Sequence, residues 1–352
     1  DKMRIVVIGG YAHKGVICGT GSGAVLPVGG YAGTINIGGP GIMGNARHLF
    51  LLPSSPLAEL QRLLPDATID FDPGYTVAEA RLSAKGADLV IVFGIRVEGE
   101  GFDLPDLSLP WGQDQLINEI ADVNPNTVVV LETGNPSSMP WRNKVKAILQ
   151  AWYPGQAGGT AIAEILTGKV NPSGRLPITF PESLQQSPRP ELEGLGTPWG
   201  TPTTIVYNEG ADVGYRWYAK KNSEPMFAFG HGLSYTTFSY GDLKVTAGKT
   251  VTASFTVTNT GQVSGADVPQ LYLSDAAGES TRRLLGFERV ELAPGETKHV
   301  TLTIDLRLLA HFNWQKQTWE IKPGTYEVVL GKSAVDSALD TSFKLKAQFF
   351  GK

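Results

Sequence analysis

Near Phe229 the hydrophobic period of the chain changes, so that one type of layer cannot satisfy both halves. Before that point, apolar residues fill consecutive positions in short β-branched runs. These are Ile5-Val6-Val7-Ile8, Asp88-Leu89-Val90-Ile91-Val92-Phe93, Thr127-Val128-Val129-Val130-Leu131 and Val145-Lys146-Ala147-Ile148-Leu149. Such runs suit strands covered on both faces, and Gln113 to Asn124 has the spacing of an amphipathic helix between two of them. Helix punctuation agrees: Pro56 stands near the start of LAELQRLLP, Gly86 closes a helix, and Gly158-Gly159 opens TAIAEILTG, which stops at Gly168. The expectation over 1–185 is an α/β sandwich domain, a mostly parallel sheet covered by helices.

After Phe229 the pattern alternates, in Thr250 to Thr258, Val268 to Leu273, His299 to Ile304 and Thr325 to Leu330. Asn259-Thr260-Gly261, Pro294-Gly295 and Pro323-Gly324 supply turns. Half-buried antiparallel strands of this kind predict an all-β sandwich of roughly 100 residues within 230–352. Between the two, 186–229 is rich in Pro, Gly, Ser and Thr, as in QQSPRPELEGLGTPWGTPTT, and reads as an irregular connector.

Several function classes are disfavoured by composition. A net charge of −4 with no dense Lys/Arg run offers nucleic acid no electrostatic footprint. No apolar stretch reaches the roughly 20 residues that cross a bilayer, and DKMRIVVIGG reads as a strand rather than a leader. A start on an apolar strand without Met leads to the expectation that a longer polypeptide precedes it. The single cysteine, Cys18, allows no internal disulfide and reads as a buried free thiol. His13, His48, His231, His299 and His311 show no metal-ligand spacing, so neither metal nor cofactor is expected.

The candidate chemistry lies in Arg96-Val97-Glu98-Gly99-Glu100-Gly101-Phe102-Asp103, directly after an apolar strand. Ligands of open α/β sheets bind beyond the carboxyl ends of strands. Three acids within six residues are expected to raise one another's pKa, as a general acid requires. The competing reading is an acidic turn that is only solvated. Gly19-Thr20-Gly21-Ser22-Gly23 invites a phosphate-cradle reading, but it lacks the G-x-G-x-x-G frame, a Walker lysine and a following helix. No G-x-S-x-G elbow supports a serine hydrolase. Trp111, Trp141, Trp152 and Tyr153 are candidates either for stacking on a sugar or for core contacts.

EGEGFDLPDLSLPWGQDQLI closely resembles the segment that carries the acid/base glutamate of family-three glycoside hydrolases, with Leu104 in place of the family's usual arginine. The resemblance covers nearly the whole chain, through VVIGGYA, AWYPGQAGGTAIAEILTGKVNPSGRLPITFP and FAFGHGLSYTTF. LLGFERVELAPGETKHVTLTI and PGTYEVVLG resemble the family's fibronectin type III-like module. It implies the C-terminal part of a retaining, exo-acting β-glucosidase acting on terminal non-reducing β-D-glucosyl residues. The partner it implies is an N-terminal (β/α)-barrel carrying an aspartate nucleophile, and no candidate barrel is present here. By position, Glu100 is the acid/base and Glu98 the runner-up. Gly21 and Ser22 match a loop beside the sugar or, equally, one packed on the barrel, while Arg96 and Asp103 are expected to support the acidic loop. Secretion or a periplasmic location is expected by the same analogy. The alternatives are a non-catalytic carbohydrate-binding or assembly module, a β-xylosidase or β-galactosidase specificity, and, less well matched, a nucleotide-binding protein.

Overall fold

The computed structural model describes residues 2–39, 44, 47–198 and 200–351, so Trp199 of the expected connector lies outside the described residues. The chain divides into two compact units, one of 1–170 with 191–205 and one of 171–190 with 206–352.

The first unit begins with strand β1 (Arg4–Gly9), the antiparallel strands β2 (Val16–Cys18), β3 (Gly33–Asn36) and β4 (His48–Leu52), and helix α1 (Pro56–Leu63). It continues through β5 (Thr68–Asp72), α2 (Val77–Ala84), β6 (Leu89–Ile95), α3 (Gln113–Val123), β7 (Thr127–Glu132), β8 (Ala147–Gln150) and α4 (Gly158–Leu166). A parallel sheet of order β5-β1-β6-β7-β8 forms its centre, and β2-β4-β3 make a second, small sheet. Ser55 starts α1 by accepting the Ala58 amide, with Pro56 in the first turn where its missing N–H costs nothing. Helix α2 stops before Gly86, whose φ of +73° reverses the chain.

Both faces of the parallel sheet are covered, which explains the unbroken apolar runs. Ile5, Val7, Ile91, Phe93 and Val130 cluster with Leu60 of α1 and with Ile162 and Ala163 of α4. The alternate residues Val6, Ile8, Val90, Val92, Val129 and Leu131 are buried as well, as are Ala80, Leu116, Ile117 and Ile120 of α2 and α3. Each such aliphatic side chain contributes about 1.5–3 kcal/mol relative to exposure, and this burial is what holds the strands in register.

The second unit contains helix α5 (Tyr215–Lys221), then β9 (Phe238–Ala247), β10 (Val251–Asn259), β11 (Gly265–Asp267), β12 (Gln270–Ala276), β13 (Glu279–Phe287), β14 (Val290–Leu292) and β15 (Thr297–Ile304). The remaining strands are β16 (His311–Asn313), β17 (Thr318–Ile321), β18 (Gly324–Gly331), β19 (Ser337–Leu345) and β20 (Gln348–Phe350). The larger sheets are β15-β10-β9 and β13-β12-β18-β19, all antiparallel. Every second residue of β10, from Val251 through Ala253 and Phe255 to Val257, enters one core with Leu271, Leu273, Val300, Leu302, Val328 and Leu330.

The units divide at other positions than the expected 1–185, 186–229 and 230–352, for reasons local to the second unit. Arg175 donates to Asp267 at 2.6 Å, both nearly buried, and Tyr240 donates to the same carboxylate at 2.6 Å, tying the segment before 190 to the strands. Within the expected connector α5 forms and packs. Tyr215 stacks on Phe229 with ring centroids 4.7 Å apart, and its hydroxyl accepts the Leu284 amide at 3.0 Å. Two turns of helix are too short to show a period in the sequence.

Candidate active site

In the order β5-β1-β6 the chain leaves β1 for one neighbour and returns to the other side, so the strand order reverses between β1 and β6. Crevices of this kind at the carboxyl ends of strands are where open α/β sheets bind ligands. The register Gly9 to Phe93 brings the two strand ends level. The chain after β1 runs through β2 to the 3-10 turn Gly21–Gly23, while the chain after β6 is the acidic segment.

The two segments meet. Thr20 and Gly99 form a parallel bridge, and the Thr20 amide donates to the Glu98 carbonyl at 2.9 Å. A Cβ on Gly99 would fall 1.8 Å from Thr20 Oγ1, so this approach requires glycine. Gly21 has φ +63°, and a Cβ there would lie 2.8 Å from the Glu100 Cβ. Its turn aims Ser22 at Glu100, and both the Ser22 hydroxyl and the Ser22 amide, the latter at 3.2 Å, donate to Glu100 Oε2. Glu100 is exposed, and the Ser22 hydroxyl followed by its amide holds the carboxyl below the usual carboxylate range.

For Glu100 the structure therefore corrects the expectation of a carboxyl pKa raised by its neighbours. Glu98 turns inward instead, 6% exposed, with the Arg96 guanidinium 3.4 Å from Oε1 and the Asn135 amide donating to Oε2 at 2.6 Å. Arg96 is 3% exposed and also donates to the carbonyls of Leu107 (2.6 Å), Ser108 (2.7 Å) and Pro136 (3.2 Å). It thus ties the acidic segment to the two stretches that flank it. Asp103, expected to share this role, is exposed and makes no hydrogen bond or ion pair among the described residues. Asp106 organises that end instead, accepting the Ser108 amide and hydroxyl at 2.8 and 2.6 Å.

Of the aromatic candidates, Trp141 is fully buried and donates to Asp114 at 2.8 Å. The Tyr153 hydroxyl donates to the Arg96 carbonyl at 2.7 Å, beneath the acidic segment. Trp152 is half-buried and Trp111 exposed. Cys18 is a buried free thiol. Gly19 to Gly23 leads into extended backbone at Ala24 rather than into a helix, so it lacks the helix N-terminus that cradles a pyrophosphate. Among the described residues no group of three His, Cys, Asp or Glu could hold a metal ion, and no helix is long and apolar enough to cross a membrane.

The sequence reading missed Glu132, because it stands as the polar end of an apolar strand. It is 0% exposed, and burial pushes its carboxyl up to about 8. A folded-state pKa above the ordinary glutamate value near 4.3 means the folded chain holds one more proton than the unfolded chain between those limits. The stability this contributes is present at low pH and is lost as pH rises from about 4.5 to about 8. Relative to Glu132→Gln, which cannot titrate, the wild-type chain should lose about 1.4 kcal/mol of unfolding free energy per pH unit in that window. Urea titrations of both proteins at pH 5, 6, 7 and 8 check this; parallel stability–pH curves would show that Glu132 is ionised in the fold.

An exposed carboxylate, held in one orientation beyond the carboxyl ends of β1 and β6 and backed by a buried ion pair, can exchange a proton with a group presented from outside. Both parts of the chain resemble known proteins. The Glycosyl hydrolase family 3 C-terminal domain profile matches residues 1–235, and the Fibronectin type III-like domain profile matches 267–334. The thermostable beta-glucosidase B of Acetivibrio thermocellus is 41% identical over 282 residues, covering 77% of this chain and 37% of that protein. Among solved structures, the GH3 beta-glucosidase of Bifidobacterium adolescentis is similar with TM-score 0.77 and 31% identity over 98% of this chain and 49% of that one. Beta-glucosidase 3B of Thermotoga neapolitana, solved with glycerol, has TM-score 0.81 and 28% identity over 100% and 51%. The chain thus spans about a third of the length of the curated relative and about half that of each of these two solved chains.

Proposed function

The chain belongs to glycosyl hydrolase family 3, and from that premise we propose that it supplies the general acid/base, Glu100, to a retaining exo-acting β-glucosidase whose aspartate nucleophile sits on an N-terminal (β/α)-barrel. One observation carries the reading. The glutamate at the acid/base position of VEGEGFD is exposed at the strand-order switch point and held by Ser22, whereas Glu98 is buried on Arg96.

In the first step the barrel aspartate attacks the anomeric carbon of a terminal β-D-glucosyl residue, and Glu100 gives its proton to the departing glycosidic oxygen. In the second, the Glu100 carboxylate takes a proton from the water that releases the sugar. The carboxyl groups stand about 5–5.5 Å apart in such a mechanism, so the barrel mouth docks over the 96–103 segment. In this chain the Ser22 hydrogen bonds favour the ionised form of Glu100, while the first step needs the acid form. Desolvation under the barrel and the nearby nucleophile carboxylate both raise a carboxyl pKa, so docking converts Glu100 into an acid.

The test is β-glucoside turnover by this chain alone, by the barrel alone and by the two joined. Turnover only when both are present is expected; turnover by this chain alone would overturn the division of labour. A second reading, a non-catalytic module that only covers the pocket, is favoured by the depressed Glu100 pKa, and it predicts that the joined protein tolerates loss of Glu100.

A further inference from the structure

The two segments that build the candidate site are joined beneath it by one buried residue. Glu132 ends β7 at the level of the β6 end, paired with Ile95. Its Oε2 accepts the Ile17 amide at 2.7 Å, and its backbone carbonyl accepts the Arg96 amide at 3.2 Å. Ile17 is the middle residue of β2, from which the chain runs on to Ser22, and Arg96 opens the segment that carries Glu100. The side chain therefore grips one segment while the backbone grips the other. Its second oxygen, Oε1, has no hydrogen-bond partner among the described residues.

We propose that Glu132 is a positioning residue for Glu100: by holding β2 against the end of β7, its side chain sets where Ser22 meets the Glu100 carboxylate. Strand β2 has three residues and pairs with β4, and beyond it Thr20 meets Glu98 and Gly99, so the Glu132 carboxyl fixes the strand itself while Thr20 fixes the turn that follows. A buried backbone amide on that edge needs an acceptor, and the carboxyl supplies one. The neutral acid does so without burying a charge, which agrees with the upward push that burial gives this group. A leucine of similar size would fill the space and leave the amide unpaired. A glutamine would keep the acceptor.

The inference deepens the reading of Glu100 as acid/base and rests on that reading only for its catalytic meaning. Its geometric content is tested on the chain itself, by carboxyl NMR titration of Glu100 and amide exchange at Ile17 in wild type, Glu132→Gln, Glu132→Leu and the same-strand core control Val130→Ala. In Glu132→Leu, Glu100 should titrate higher, toward an ordinary exposed glutamate, as Ser22 withdraws, and the Ile17 amide should exchange at least tenfold faster. Glu132→Gln should keep the wild-type Glu100 titration, and so should Val130→Ala even where its melting temperature falls as far as that of Glu132→Leu. An unmoved Glu100 in folded Glu132→Leu overturns the inference, as does an equal movement in Val130→Ala. Should Glu132→Leu not fold, Glu132→Gln decides: retention of both the low Glu100 titration and slow Ile17 exchange supports the acceptor role, and loss of either overturns it. In the barrel-joined protein, a folded Glu132→Leu should lower kcat with KM little changed. Movement of Glu100 without that kinetic effect would leave the positioning inference standing and count against Glu100 as the acid/base.

Discussion

In a protein that joins this chain to its barrel, Glu100→Ala should cut the turnover of methyl β-glucoside by roughly 10²–10⁴-fold, the usual contribution of a positioned general acid. A methoxide leaving group depends on protonation, whereas an activated nitrophenolate departs without it. The same variant should therefore still form a glycosyl-enzyme from a dinitrophenyl β-glucoside, releasing a burst of phenol before hydrolysis stalls for want of a base. Glu98→Ala is expected to fail differently. Glu98 is buried between Arg96 and Asn135, so its loss leaves the guanidinium unneutralised and lowers stability without this leaving-group dependence. Burst and steady-state kinetics on both substrates decide the matter. Wild-type rates for Glu100→Ala on methyl glucoside would return the site to the non-catalytic reading.

Arg96→Ala should lower the unfolding free energy of the chain by about 3–5 kcal/mol, the range for breaking a buried ion pair from one side. The side chain is 3% exposed, so solvent does not screen what it does. Its removal strands the Glu98 carboxylate and takes a charged donor from the carbonyls of Leu107, Ser108 and Pro136. Arg96→Lys should recover only part of the loss, because an ammonium lacks the fork that reaches these acceptors together. The double variant Arg96→Leu with Glu98→Leu should be more stable than the sum of the two single losses implies, since it leaves neither charge buried alone. Denaturant titration checks all of these, and a loss below about 1 kcal/mol for Arg96→Ala would show the pair to be solvated.

Much of the architecture was legible because burial imposes a period. Ile5 to Ile8 and Leu89 to Phe93 are apolar on consecutive positions because helices lie on both faces of their sheet. Val251 to Val257 alternates because one face of β10 is inside. Shorter pieces left no such imprint: β2 has three residues, β5 is at most half-buried, and α5 spans two turns. The composition of 186–229 as a whole spoke for a connector, and it took Tyr215 against Phe229 to make a helix at 215–221 worth forming.

The segment around Glu100 could be located from sequence alone, because a glycine-bearing acidic stretch after an apolar strand and its family resemblance are both linear properties. Which carboxylate faces outward could not. Glu98 and Glu100 are two residues apart in the same motif, and their fates differ only because Arg96 and Asn135 converge on one while Ser22 meets the other, from positions 37 and 78 residues distant in the two latter cases. The depressed Glu100 pKa and the raised Glu132 pKa belong to the same class of fact. Sequence sets which groups can ionise and which strands are covered. Desolvation and hydrogen bonding, which decide whether those groups hold a charge, depend on neighbours that only the folded chain brings together.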